Sequence, residues 1–229
     1  MNHMKLEMTA LATPAVLLFT AASLAAPIQT VTVDTGPSQF TVADDDLVEA
    51  GQPSLSTPVI ETNYDQQGGF GAVGVINDGQ FTTNQSDGML DISSTPTGVN
   101  YSVNFELSGG YDIAEINTYS YWVDERHGQR YEVWYSVTGD PNFQQLGSGQ
   151  FLYEAPNSTA AVRISITDDT SSTLLADVDA LRFDFFRTIP GTSSSDGVYY
   201  EIDVIQVPEP ASLALLSIGT ALVLARRRR

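Results

Sequence analysis

The sequence predicts an all-β fold, an antiparallel sandwich or barrel over residues 26–206 lying between two apolar end segments. Three observations carry this. Apolar residues recur with a period of two in four separate stretches. Glycine- and aspartate-rich turn signals break those stretches at short intervals. Between the ends no run of ten residues keeps a helical period.

The first element is residues 1–25. Lys5 stands in a short polar stretch, an apolar run extends from Leu11 to Leu24, and Ser23, Ala25 and Ala26 are small. That order is a secretory signal peptide, which implies passage through the Sec translocon. Pro27 favours a cut after Ala25, because a cut after Ala26 would leave proline directly behind the scissile bond. Starting instead at Met4 or Met8 shortens only the charged region. A retained N-terminal helix is the alternative.

The strands follow. Val99, Tyr101, Val103, Phe105 and Leu107 alternate with Asn100, Ser102, Asn104 and Glu106. The pattern repeats in Tyr131, Val133, Tyr135 and Val137, in Val162, Ile164 and Ile166, and in Val198, Tyr200, Ile202 and Val204. Such strands bury one face and wet the other, the mark of antiparallel sheets. Turn signals stand at Asn77-Asp78-Gly79, Ser86-Asp87-Gly88, Ser108-Gly109-Gly110, Gly139-Asp140-Pro141 and Ser195-Asp196-Gly197. Many short strands at this spacing read as a sandwich or barrel.

The last element, residues 207–229, holds three parts in order: Pro208-Glu209-Pro210, an apolar run from Ala211 to Ala225, and Arg226, Arg227, Arg228 and Arg229. Fifteen helical residues rise about 22 Å, short of a hydrocarbon core of roughly 30 Å, although arginine stems extend the reach by snorkelling. The terminal arginines act as a membrane stop signal on the cytoplasmic side, which places everything upstream across the membrane. The tripeptide before the apolar run closely resembles the PEP-CTERM sorting signal of exported bacterial proteins. That resemblance implies transient arrest in the inner membrane, recognition of Pro208, Glu209 and Pro210 by an exosortase, cleavage nearby, and delivery to the cell surface or extracellular matrix. The two prolines suit such a substrate by keeping the segment extended and removing backbone donors. A plain C-terminal anchor is the alternative.

Composition narrows the function. The chain has no cysteine, so its stability rests on packing and any bound ions rather than disulfides. Between residues 26 and 206 there is no lysine, and five arginines face twenty-six acidic residues, a formal charge of −21. Such a surface repels phosphate backbones, and nucleic acid is excluded as a partner.

From Ile76 to Ile205 the order of pieces resembles the galactose-binding-like, discoidin-type fold, which implies an antiparallel jelly-roll β-sandwich for residues 26–206. The pieces are Asn77-Asp78-Gly79, the strand ending Phe105-Glu106-Leu107, Ile113 and Ile116 leading to Tyr119, then Tyr131-Glu132-Val133-Trp134-Tyr135-Ser136 before Gly139 and Phe143. The chain departs from that family in lacking a cysteine pair and in a long region before Ile76. The resemblance implies a non-catalytic module that binds glycans through loops at one end of the sandwich. Candidate elements are the turn from Asp78 to Asp87, the loop from Tyr153 to Thr159, and above all the loop from Asp124 to Arg130. There Trp122, Asp124, Arg126, His127 and Arg130 offer a ring face together with donors and acceptors for sugar hydroxyls. Packing of Trp122 and Trp134 in the sheet, with a loop charged only for solvation, is the alternative. The resemblance also implies a structural calcium, whose candidate ligands are Asp44, Asp46 and Asp78; a solvated acidic turn is the competing reading.

No catalytic constellation stands out. His127 is the only histidine between residues 26 and 206, no Gly-x-Ser-x-Gly turn occurs, and zinc has too few ligands. Carboxylate pairs are uninformative where acids are so abundant. The chain therefore reads as no enzyme. The expected function is an exported, exosortase-sorted surface protein that binds matrix polysaccharide; the alternatives are a structural biofilm-matrix protein without a discrete ligand, and a secreted glycan-active hydrolase.

Overall fold

The described residues form ten strands, all paired antiparallel: β1 (Ile28–Asp34), β2 (Ile60–Thr62), β3 (Leu90–Asp91), β4 (Tyr101–Trp122), β5 (Gln129–Val137), β6 (Asp140–Gln145), β7 (Phe151–Tyr153), β8 (Ala160–Thr167), β9 (Leu175–Phe185) and β10 (Val198–Gln206). The computed structural model describes residues 27–35, 40–43, 46–55, 60–62, 73–83, 90–91, 101–147, 149–186, 188 and 197–208. Outside the described residues lie the signal peptide, Asp44, Glu209, Pro210, the apolar tail and Arg226 to Arg229. The only helical segments among the described residues are two short 3₁₀ turns, Val73–Asn77 and Glu125–His127. No described helix is long and apolar enough to cross a membrane.

β4 organises the fold. Its first part pairs with β2 and β9, and β9 leads through β5 to β6 and β7. Its second part pairs with β8 and β10, which carry β1 and β3. The register slips between Glu106 and Tyr111, so the Ser108-Gly109-Gly110 signal is a bend within one 22-residue strand rather than a turn between two. At Gly110 a Cβ would collide with the Asp177 carboxylate and the Thr138 hydroxyl. Glycine is thus what lets the strand pass from one wing of the sheet to the other.

The curl brings the inner faces of both wings into one core. Val103, Phe105, Tyr131, Val133, Leu181, Phe183 and Phe185 from one wing join Ile116, Ile164, Ile166, Ile202 and Val204 from the other. Phe183 and Phe185 are fully buried, each contributing about 2–3 kcal/mol relative to exposure. Phe105 meets Phe183 edge-on at 5.9 Å, a favoured aromatic geometry.

β10 departs from simple alternation. A bulge between Tyr199 and Glu201 puts Tyr199, Ile202 and Val204 in the main core, whereas Val198 and Tyr200 pack with Trp122 in a second cluster. Its other face is covered as well, and Glu201 and Asp203 are almost fully buried. Leu47 donates its N–H to the Val204 carbonyl and Gln80 donates to Glu201, so the segments around Asp46 and Asp78 lie against this strand.

Candidate functional site

Three groups of residues in the described structure carry chemistry. The first is the β4–β5 connection. Asp124 caps the 3₁₀ turn Glu125–His127 by accepting the Arg126 N–H at 3.1 Å. The same carboxylate accepts Arg126 Nε at 2.8 Å and Nη2 at 2.6 Å. Burial opposes ionisation of Asp124, but the Arg126 bonds and charge outweigh it and hold its carboxyl below the usual range. The guanidinium then lies 4.5 Å over the Trp122 ring, and Trp122 itself is buried. His127 is fully buried, with Nδ1 against the Asp124 carbonyl and Nε2 without a partner among the described residues. Burial lowers its pKa, against the opposing pull of Asp124 and Glu125, and so disfavours the charged imidazolium. Arg130 donates Nε to Gln150 at 2.6 Å and lies over Phe186. The structure thus brings Trp122, Asp124 and Arg126 together in one stack whose groups are largely engaged with each other, turns the His127 ring toward Tyr153, and directs Arg130 toward Gln150 and Phe186.

The second group is acidic. Asp46 is buried, and its Oδ1 accepts the N–H groups of Val48 at 2.8 Å and Val204 at 3.2 Å. Glu201 accepts the N–H of Gln80 through Oε2 and that of Ile202 through Oε1. Asp203 Oδ2 accepts the Tyr119 hydroxyl at 2.8 Å and the Ala43 N–H at 3.1 Å. Asp78 occupies an exposed turn and accepts the Gln80 N–H. Next to it Gly79 has φ +71°, which glycine tolerates best. Among the described residues no three His, Cys, Asp or Glu side chains are gathered to hold a metal ion.

The third group is a groove on the outer face of the wing formed by β4, β9, β5 and β6. It encloses about 610 Å³, lined in part by Asn104, Glu106, Ser136, Phe143, Asp179 and Arg182. Strand register places its side chains in transverse rows. Ser102, Asp184 and Glu132 share one row; Asn104, Arg182, Trp134 and Gln145 the next; Glu106, Ala180 and Ser136 the third. Arg182 stands at the centre. Its guanidinium lies 4.9 Å from the Trp134 ring and 5.1 Å from the Phe143 ring. It also meets Asp184 at 3.1 Å, close enough for an ion pair but not aligned as a hydrogen bond. Ser102 donates to Asp184 and Ser136 to Asp179. Arg182 Nε and Trp134 Nε1 find no acceptor among the described residues.

Sequence reasoning missed this groove, because Ser102, Asn104 and Glu106 read as an ordinary wet face. The detectable signal was Trp134, an aromatic at an outward position of an alternating strand whose inward partners are Tyr131, Val133 and Tyr135.

Residues 206–229 match the PEP-CTERM protein-sorting motif. That motif marks the chain for export and a surface or extracellular destination. No curated protein matches the chain. Its structural neighbours are carbohydrate-binding modules. The family 32 module of Streptococcus pneumoniae EndoD shares 13% identity over 71% of this chain and 99% of its own, with a TM-score of 0.45. The family 32 module of Clostridium perfringens NanJ, solved in complex with galactose, shares 14% identity over 64% of this chain and 91% of its own, at 0.41. A pectin-binding carbohydrate-binding module shares 17% identity over 68% and 94%, at 0.40.

Proposed function

We propose that this chain is an exported surface protein, sorted through Pro208-Glu209-Pro210 by an exosortase, whose sandwich binds polysaccharide without acting on it. The observation that carries the binding role is the groove on the outer face of the β4–β9–β5–β6 wing. Most outward sheet faces are solvated and featureless. This one sets an arginine between two aromatic rings and surrounds it with an amide, hydroxyls and carboxylates. Sugar rings need that combination: flat surface for C–H faces, and fixed donors and acceptors for hydroxyls. Its volume of about 610 Å³ falls in the usual range for ligand clefts, about 300–1,000 Å³.

Native electrophoresis of the full chain in mild detergent, through gels carrying different polysaccharides, tests this. Retardation by at least one polysaccharide is expected. Phe143→Ala should weaken it about tenfold, since a lost ring contact is worth up to about 1.5 kcal/mol. Asn104→Ala should weaken it too, and Arg126→Ala should not. Loss with Arg126→Ala alone would move the site to the β4–β5 connection. Retardation in no gel would overturn the binding role and favour a structural matrix protein.

A further inference from the structure

The charge of the groove, taken together with its proposed role in binding glycan, narrows the class of sugar. The groove is lined by the carboxylates of Glu106 on β4 and Asp179 on β9, and those of Glu132 and Asp184 stand in the adjoining row of the same sheet face. The central cation is Arg182, and that charge is matched by Asp184 at 3.1 Å. Arg130, further along β5, donates to Gln150 and lies over Phe186. Glu132 stands opposite Asp184 in register, so two carboxylates share the row next to the central cation Arg182. The Asp179 carboxylate accepts from Ser136, a neutral partner. Beyond the groove, the lysine-free ectodomain spreads a negative potential that turns away uronate and sulfate polymers and draws in polycations.

We infer that the groove binds a polysaccharide bearing protonated amines, a polymer of incompletely acetylated amino sugars. Four strands cross the site at about 4.8 Å spacing, giving about 14 Å of floor, so a run of sugar rings lies across it rather than a single one. Ammonium groups on that run meet Glu106 and Asp179 at the edge of the groove, while ring faces meet Phe143 and the stacked Arg182.

The test is a fluorescence titration of the full chain in mild detergent with three probes: a fully deacetylated glucosamine oligomer, its N-acetylated counterpart, and polygalacturonate. The deacetylated oligomer should bind about tenfold more tightly than the acetylated one at low salt, and the gap should shrink as salt screens the pairs. Asp179→Asn keeps an acceptor for Ser136, and Glu106→Gln keeps shape. Each should weaken binding of the deacetylated oligomer about fivefold, the upper range for a partly exposed ion pair, and narrow its advantage. Equal binding of both oligomers would overturn the charge inference and leave the glycan-binding reading standing. Polygalacturonate binding best, in a manner weakened by Phe143→Ala, would also overturn it. An oligolysine peptide binding as tightly as the glucosamine oligomer would make this a basic-peptide site and overturn the sugar assignment. Binding of no probe would overturn the charge inference, while retardation by a neutral polysaccharide in the gels would keep the glycan-binding reading.

Discussion

Asp46 and its neighbours make stability depend on pH in an unusual direction. Burial raises the Asp46 carboxyl from 3.8 to about 7 and that of Glu201 from 4.5 to about 9; it raises Asp203 as well. Each group holds its proton more tightly folded than unfolded. The native state therefore binds the extra protons, and stability declines as pH rises from the unfolded value toward the folded one. For Asp46 the rise from 3.8 to about 7, at 1.36 kcal/mol per unit, corresponds to about 4 kcal/mol lost between about pH 4 and pH 7. Glu201 carries the decline on to about pH 9. For a domain of this size 4 kcal/mol moves Tm by about 10 °C. Asp46→Asn keeps an Oδ1 acceptor for the N–H groups of Val48 and Val204 and removes the titration. Thermal unfolding of the full chain in detergent and chelator, followed by circular dichroism from pH 4 to pH 9, should show the wild-type Tm falling. The variant should fall less and unfold about 10 °C higher at pH 8. A wild-type Tm that stays level or rises over this range, or a variant that tracks the wild type, refutes the claim that burial keeps the proton on Asp46. Repeating the series with calcium checks the structural ion expected at Asp44, Asp46 and Asp78. A bound cation would displace the protons, raise Tm at pH 8 and cancel the slope; an unchanged curve refutes that expectation.

Two further outcomes follow from named contacts. Replacing Pro208, Glu209 and Pro210 together with alanine should leave full-length protein in the inner membrane, read by fractionation and intact mass; normal processing and surface exposure of the variant would end the sorting reading. Asp124→Ala removes the cap of the 3₁₀ turn and the clamp that holds Arg126 on Trp122, so it should cost about 1–2 kcal/mol in denaturant unfolding; a variant as stable as wild type would mean the stack contributes nothing to the fold.

Strand identity was legible where inward side chains are apolar and outward ones polar, as in Val103 and Phe105 against Ser102 and Asn104. The outcome at Ser108-Gly109-Gly110 was not. Turn composition reports backbone freedom at a point, but whether the chain reverses there or bends through depends on what it pairs with afterwards. Here β9 follows β4 across the bend, pairing with Glu106 on one side and Tyr111 on the other, so the strand continues. β10 misled for a related reason. A bulge adds one residue to the count, and the period of two then assigns Val198 and Tyr200 to the same face as Ile202 when they pack with Trp122 instead. The burial of Glu201 and Asp203 comes from segments more than a hundred residues earlier, which no local pattern reports.

Site legibility divides along the same line. The loop from Asp124 to Arg130 is contiguous in sequence, so its charged and aromatic residues were visible as a set; contiguity also lets them satisfy one another, as Asp124 and Arg126 do over Trp122. The groove is built the opposite way. Asn104, Trp134 and Arg182 are far apart along the chain and meet only because β4, β9 and β5 stand side by side in one register. A one-residue slip of β9 would turn Arg182 into the core and Phe183 out to solvent, so the burial of Phe183 against Phe105 is what fixes Arg182 between its two rings. The core thus sets the placement of the groove, and a change at Phe183 should disturb ligand binding at a face it never touches.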